Sequence, residues 1–214
     1  MPLPSWVIVS LPLCVLLATL FFVWRFMRRG TMAVHRAAAK GNVARLEQLL
    51  LANPASANGT DLVGFTPLQY AACWGQVEAA RLLLDNDARL TVDSGWSPLH
   101  HAAAEGHEDV VRLLLERGAD VNTRSSSDGS SPLHGAVINR RADLVRLLLD
   151  HGADVEAKTK SDWTACHFAA SSGDEATLTV LLEHGADWRA TNSANQSPLE
   201  LAMANNHPRI VNLV

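Results

Sequence analysis

The sequence predicts an all-α solenoid of stacked helix–turn–helix units behind one N-terminal transmembrane helix. Two observations carry the solenoid: a short Ser/Thr-Pro-Leu-His pattern that recurs along the chain, and a Leu-rich stripe between its recurrences. A third carries the anchor: nineteen uncharged residues from Trp6 to Trp24. Composition bounds the rest. With 214 residues, 48% apolar, the chain has enough apolar matter for one folded domain and is not intrinsically disordered. Three cysteines exclude a disulfide scaffold, and a net charge of −4 argues against a dedicated nucleic-acid binder. The charge is unevenly placed. Residues 1–46 carry Arg25, Arg28, Arg29, Arg36, Lys40 and Arg45 with no acid, so the rest of the chain is strongly acidic.

As a helix, the segment from Trp6 to Trp24 spans about 28 Å, the thickness of a hydrocarbon core. Tryptophans at both ends suit the headgroup level, and Pro12 is tolerated inside a bilayer. A cleaved signal peptide is the competing reading. It is disfavoured because no basic residue precedes the apolar run and no small-residue cleavage pattern follows it. All the flanking positive charge follows the run, which places the C-terminal side in the cytosol. Residues 1–30 therefore read as anchor and basic neck, and residues 31–214 as the repeat domain. Which membrane holds the anchor (endomembrane, plasma or mitochondrial outer) is left open by the sequence.

In the body, Thr66-Pro67-Leu68-Gln69, Ser97-Pro98-Leu99-His100 and Ser131-Pro132-Leu133-His134 recur as one box, continued by Thr164-Ala165-Cys166-His167 and Ser197-Pro198-Leu199-Glu200. A first copy lacks the turn but keeps His35 ahead of an Ala-rich run and Gly41. The fourth positions, 35, 69, 100, 134, 167 and 200, are 31 to 34 residues apart. Proline opens the first helix in every box except Thr164-Ala165, and Gly75, Gly106 or Gly173 closes it. A second helix carries Leu82–Leu84, Leu113–Leu115 or Leu147–Leu149 and ends at Gly118, Gly152 or Gly185. The expected units are about 31–63, 64–94, 95–128, 129–162, 163–195 and 196–214, the second shortened and the last either an abbreviated cap or cut. Neighbours must stack because no single unit buries its own apolar face.

These boxes, the Leu-rich second helix and the ending Gly118-Ala119-Asp120-Val121-Asn122 resemble the ankyrin-repeat family over residues 31–214. The resemblance implies helix pairs with projecting hairpins. It also implies that His100, His134 and His167 tie the turns of adjacent units together, which makes the box structural. Partners would then meet the hairpin tips and the face made by the first helices. His107, His151 and His184 fall at helix ends, where a ring bonds exposed backbone. Acid pairs such as Glu105/Glu108 and Asp174/Glu175 read as solvated.

No zinc-protease, Cys-x-x-Cys, phosphate-loop or nucleophile-elbow motif is present, so the expectation is a non-enzyme with no cofactor, metal or small-molecule substrate. The candidate partner-binding residues are Phe65, Trp96 and Trp163 just before the boxes, Trp74, Glu105 and Asn139 at the ends of first helices, and His101. Packing on a neighbouring hairpin is the competing role for the aromatics before the box. Trp74 has less structural excuse for its position, and Trp188 is expected to pack between units. The expected function is a membrane-anchored adaptor that binds a protein partner on the cytosolic face. The alternative is a structural accessory subunit of a larger membrane complex. Only about six residues separate the anchor from the first repeat helix, near Thr31 or Met32, a reach of about 20 Å. The first unit should then lie against the headgroups with Arg36, Lys40 and Arg45 as one basic face, and the partner should be membrane-bound or peripheral.

Overall fold

The computed structural model describes residues 32–93 and 95–213. The anchor read at residues 6–24, the basic neck and Val214 lie outside the described residues. Among the described residues, no helix is long and apolar enough to cross a membrane.

The described chain is helical, with no strand among its elements. Helix α1 covers residues 32–39, α2 Val43–Ala52, α3 Pro67–Cys73, α4 Val77–Asp85, α5 Pro98–Glu105 and α6 Glu108–Glu116. They are followed by α7 Pro132–Ile138, α8 Ala142–Asp150, α9 Ala165–Ser172, α10 Glu175–Glu183, α11 Pro198–Ala204 and α12 Pro208–Val211. A 3-10 turn, Pro54–Asn58, follows α2. The odd-numbered helices from α3 to α11 pack on one another in series, and the even-numbered ones form a second layer. Small side chains make the first layer possible: Ala71, Ala72, Ala102, Ala103, Ala136, Ala169 and Ala170 are fully buried between helices. The second layer contributes Leu83, Leu114, Leu148 and Leu181. Among the described residues no helix exceeds ten residues, too short to persist alone, so inter-helix packing holds the stack. Residues 208–211 form the one-turn α12, whose Ile210 is buried in the same core.

Each box starts a helix in the same way. Thr66, Ser97, Ser131, Thr164 and Ser197 are N-caps in extended backbone, each in a capping box with the residue three positions on. The helix stops need left-handed backbone. At Gly75 and Gly173, φ is +66° and +70°, and a Cβ there would come within 2.5 and 2.6 Å of the His107 and His207 rings. Elsewhere the same stop is made without glycine. Asp87 holds φ +58° at the end of α4, where α6, α8 and α10 are followed by Gly118, Gly152 and Gly185. Asp87 keeps the register of those glycines; the second repeat is shortened after it, with 10 positions from Asp87 to Ser97 where Gly118 to Ser131 takes 13. Asp87→Gly is expected to raise stability by about 1 kcal/mol, because glycine adopts this conformation without a Cβ clash. The check is a thermal melt, with a rise of about 2–4 °C for a domain of this size.

Candidate partner-binding surface

Position the first helices by their boxes and two rows of side chains run along the outer side of that layer. The residues one beyond the box are Tyr70, His101, Gly135, Phe168 and Leu201, and those four further on are Trp74, Glu105, Asn139, Ser172 and Asn205. The first helix has no box, but counting from His35 puts Arg36 and Lys40 at the head of the two rows.

The box itself is a chain of hydrogen bonds along the stack. In His100 the Nδ1 atom accepts from Ser97 N at 3.2 Å, so the proton sits on Nε2, which donates to Ser130 O at 3.0 Å. His134 repeats this between Ser131 N and Trp163 O, and His167 between Thr164 N and Gln196 O. Each ring therefore ties the start of its own helix to the hairpin of the next unit. Gln69 does the same with an amide: its oxygen accepts from Thr66 N and its nitrogen donates to Trp96 O at 2.7 Å. In the first copy, His35 Nε2 bonds Phe65 O at 3.0 Å and Gly59 O at 3.1 Å. Burial pushes the His100, His134 and His167 rings below their ordinary titration range, His134 to about 4. Both ring nitrogens of each are spent on hydrogen bonds within the stack.

The hairpins are pinned by side chains. Asp61 Oδ1 accepts from Val63 N and Phe65 N, and its other oxygen accepts from the Tyr70 hydroxyl at 2.8 Å. Burial opposes ionisation of Asp61, but these hydrogen bonds hold its carboxyl below the usual range. Thr159 and Asn192 pin the later turns in the same way. Lys160 reaches back across one unit, its N–H to Asp128 O and its ammonium to Ser126 O and Ser127 O.

The structure brings Phe65, Trp96 and His101 together. Ring centroids of His101 lie 5.3 Å from Phe65 and 5.6 Å from Trp96, and Tyr70 lies 5.8 Å from Phe65. All four rings are half-buried. His101 Nε2 is buried without a hydrogen-bond partner, and burial pushes its ring down to about 4. Trp163 is not part of this cluster. Its ring meets Phe168 at 4.8 Å, tilted by 51°, and walls a separate hollow of about 430 Å³ beside Lys160. Between the two clusters the row is interrupted by Gly135, which lets α7 approach α5 closely: a Cβ there would touch Ala104 Cβ and His100 O at 3.4 Å. Trp74, Glu105 and Asn139 stand at the ends of α3, α5 and α7, exposed, and Trp74 keeps 61% of its surface in solvent. Trp188 packs against the core and carries the Arg189 guanidinium 4.8 Å above its ring.

Several sequence expectations are sharpened here. Asp174 is not simply solvated: it caps α10, accepting from Thr177 N and from the Thr177 hydroxyl. Glu108 pairs with Arg112 one turn on. The basic face is divided, because Arg36 on α1 and Lys40 just after it lie beside Trp74, whereas Arg45 lies on α2 and bonds Gln48. Tyr70, Phe168 and Met32 are surface residues of this layer that the box pattern did not flag, although counting one beyond each box would have found the first two. Cys73 and Cys166 are unpaired, and burial pushes the Cys166 thiol up to about 12. Among the described residues, no cluster of His, Cys, Asp or Glu could hold a metal ion.

The decisive comparison is with family models. Three copies of an ankyrin-repeat model match residues 34–125, 87–159 and 124–192, which together span most of the chain. The chain belongs to the ankyrin-repeat family. Among individual proteins, the ankyrin stack is 45% identical to Protein phosphatase 1 regulatory subunit 12A of Mus musculus and of Rattus norvegicus, over 62 residues in each case. That is 29% of this chain and 6% of the relative. It is 42% identical to a Transient receptor potential cation channel subfamily A member 1 homolog of Caenorhabditis elegans over 55 residues, 26% of this chain and 4% of that one. The chain thus spans only a small fraction of the length of these relatives. Membership of this family gives the ankyrin stack a role in protein–protein interaction.

Proposed function

We propose that this protein is a membrane-tethered, non-catalytic adaptor whose ankyrin stack captures a protein partner on the cytosolic side. The observation that carries the reading is the first-helix face: a layer of helices spaced by buried alanines presents Trp74 and the Phe65–Trp96–His101 cluster to solvent. Large aromatic side chains are disproportionately the residues that anchor interfaces. The regulatory subunit and the channel homolog share only a short run of repeats with this chain, so the likeness transfers the module and not a partner.

Tethering rests on the uncharged run from Trp6 to Trp24 and on the three arginines that follow it within five residues. A cytosolic stack is supported by Asn58 of the sequon Asn58-Gly59-Thr60. Its amide nitrogen donates to Asp87 O and its oxygen accepts from Arg89 N, both at 2.8 Å, so the side chain is built into the contact between neighbouring units. A glycan there would displace that contact. The expected result is a protein that stays in membranes through alkaline carbonate washing, is digested by protease added to the cytosolic face, and carries no glycan. Release by carbonate, or a sugar on Asn58 or on the exposed Asn195 of the sequon Asn195-Gln196-Ser197, would overturn the topology.

A further inference from the structure

The geometry points to a peptide-binding groove between α1 and α3 that takes an acidic segment of another protein through an apolar anchor residue. This inference rests on the interaction role proposed above and gives it a site and a partner chemistry.

The groove is a hollow of about 570 Å³, within the roughly 300–1,000 Å³ range of concave ligand sites. Its walls come from two helices at helical spacing. Met32, Arg36, Ala39 and Lys40 line one side, and Tyr70 and Trp74, one turn apart, line the other. Met32, Ala39 and the two aromatic rings give it a mainly apolar interior. Tyr70 cannot swing into the space freely, because its hydroxyl is held by Asp61. Trp74 is held by no such contact and stands 61% exposed on an otherwise alanine-packed layer. An indole in that position is a rigid surface waiting for a complementary side chain.

Charge selects the occupant. Arg36 and Lys40 are both exposed on the rim, and among the described residues no carboxylate lines the groove. The nearby acid, Asp61, keeps its charge but is turned toward two backbone amides and the Tyr70 hydroxyl and does not line the groove. Beyond Lys40 and Trp74 along the same row stands Glu105, which raises the Cys73 thiol after burial has done so, and this sets a polarity. The segment's carboxylates face α1, and it does not run as a uniform acidic tract toward α5. The chain's own residues 1–31 carry Arg25, Arg28 and Arg29 and no acid, which makes them electrostatically unsuited to this rim. A lipid headgroup would use the two cations but not the apolar interior, whereas an acidic peptide with a Leu or Trp anchor uses both.

The test uses the full chain in mild detergent and a fluorescein-labelled peptide with a Leu-Trp centre among Glu and Asp, read by fluorescence polarisation. Trp74→Ala and the pair Arg36→Glu/Lys40→Glu are each expected to weaken binding at least about tenfold. Arg112→Glu, on the opposite layer, should leave it unchanged. Added salt should weaken binding several-fold, as for partly exposed charges. All substituted residues are exposed, and a melting curve for each variant confirms folding. The inference is overturned if the same peptide with Lys and Arg in place of its acids binds as well. It is also overturned if a peptide of residues 20–31 binds more tightly, or if phosphatidylserine vesicles displace the peptide and bind regardless of Trp74. Partner complexes recovered from membranes that survive Trp74→Ala would refute the groove while leaving the interaction role standing. A stack that captures no partner yet binds the peptide through Trp74 would do the opposite.

Discussion

His134→Gln is expected to leave the fold as stable as the parent at neutral pH and to remove a large part of its sensitivity to acid. The reasoning starts from burial. His134 is fully buried, with Nδ1 accepting from Ser131 N and Nε2 donating to Trp163 O. A proton added to Nδ1 would face an N–H donor in a dry site. Burial therefore pulls the ring from 6.5 down to about 4, and the hydrogen bond that Nε2 donates to Trp163 O only partly offsets it. In the unfolded chain the ring titrates near 6.5, so on acidification the unfolded state takes up the proton first. Stability from this group is complete above about pH 6.5 and is lost as the pH falls toward about 4, by roughly 3 kcal/mol. His100, His101 and His167 are displaced in the same direction and deepen the loss over the same window. The second unit already holds the non-titrating solution, with Gln69 making both bonds through its amide. Chemical denaturation of parent and variant from neutral pH to about pH 4.5 reads the difference, which should grow to most of that 3 kcal/mol. Parallel curves would mean that His134 is not a buried neutral group. His134→Ala is a different experiment, since it leaves Ser131 N and Trp163 O unpaired at about 1–3 kcal/mol each.

Leu148→Ala should be the most damaging conservative truncation in the second layer. Leu148 is fully buried on α8, which packs on α7 and α10 in the middle of the stack. Removing its isobutyl group costs the transfer energy and leaves a cavity that short helices cannot close, about 2–5 kcal/mol. Leu113, 2% exposed, should be nearly as costly, and Leu147, 7% exposed at the edge of the core, less so. Leu51, 78% exposed on α2, should cost almost nothing. Because each pair of helices touches only its neighbours, a weakened centre also uncouples the two halves. Denaturation of Leu148→Ala should therefore show a broadened or two-step transition where the parent shows one. A single sharp transition at the parental midpoint would contradict the packing described.

Most of the fold was readable because ankyrin units repeat. One Ser/Thr box fixes a cap, a helix start and a register, and its five copies, four with proline and one with Ala165, fix the stack. The hydrogen-bonding role of His100, His134 and His167 followed from the family resemblance, and the bonds themselves from the coordinates. The groove was not readable for a specific reason. Its first wall lies in the copy that lacks the box, so Arg36 and Lys40 could be grouped with Arg45 by sequence proximity alone. Only the packing of α1 against α3 puts them opposite Trp74. In the same way, Phe65, Trp96 and Trp163 looked equivalent from their shared position before the box. Gly135 separates them, since without a side chain it leaves Trp163 with Phe168 and the other two with His101. Asp87 and Arg140 in left-handed backbone were likewise hidden, because the stop signal there is geometric and neither residue is glycine.

Site-specific photo-crosslinking in cells tests the central claim most directly. A photoreactive phenylalanine analogue is placed at Trp74 on the first-helix face and, in a second version, at Arg112 on the second layer, both exposed and distant from the core. The account predicts a discrete membrane-associated adduct from position 74 and none from position 112. Equal crosslinking from both positions, or an adduct from position 112 alone, would contradict the assignment of the first-helix face as the surface that meets the partner.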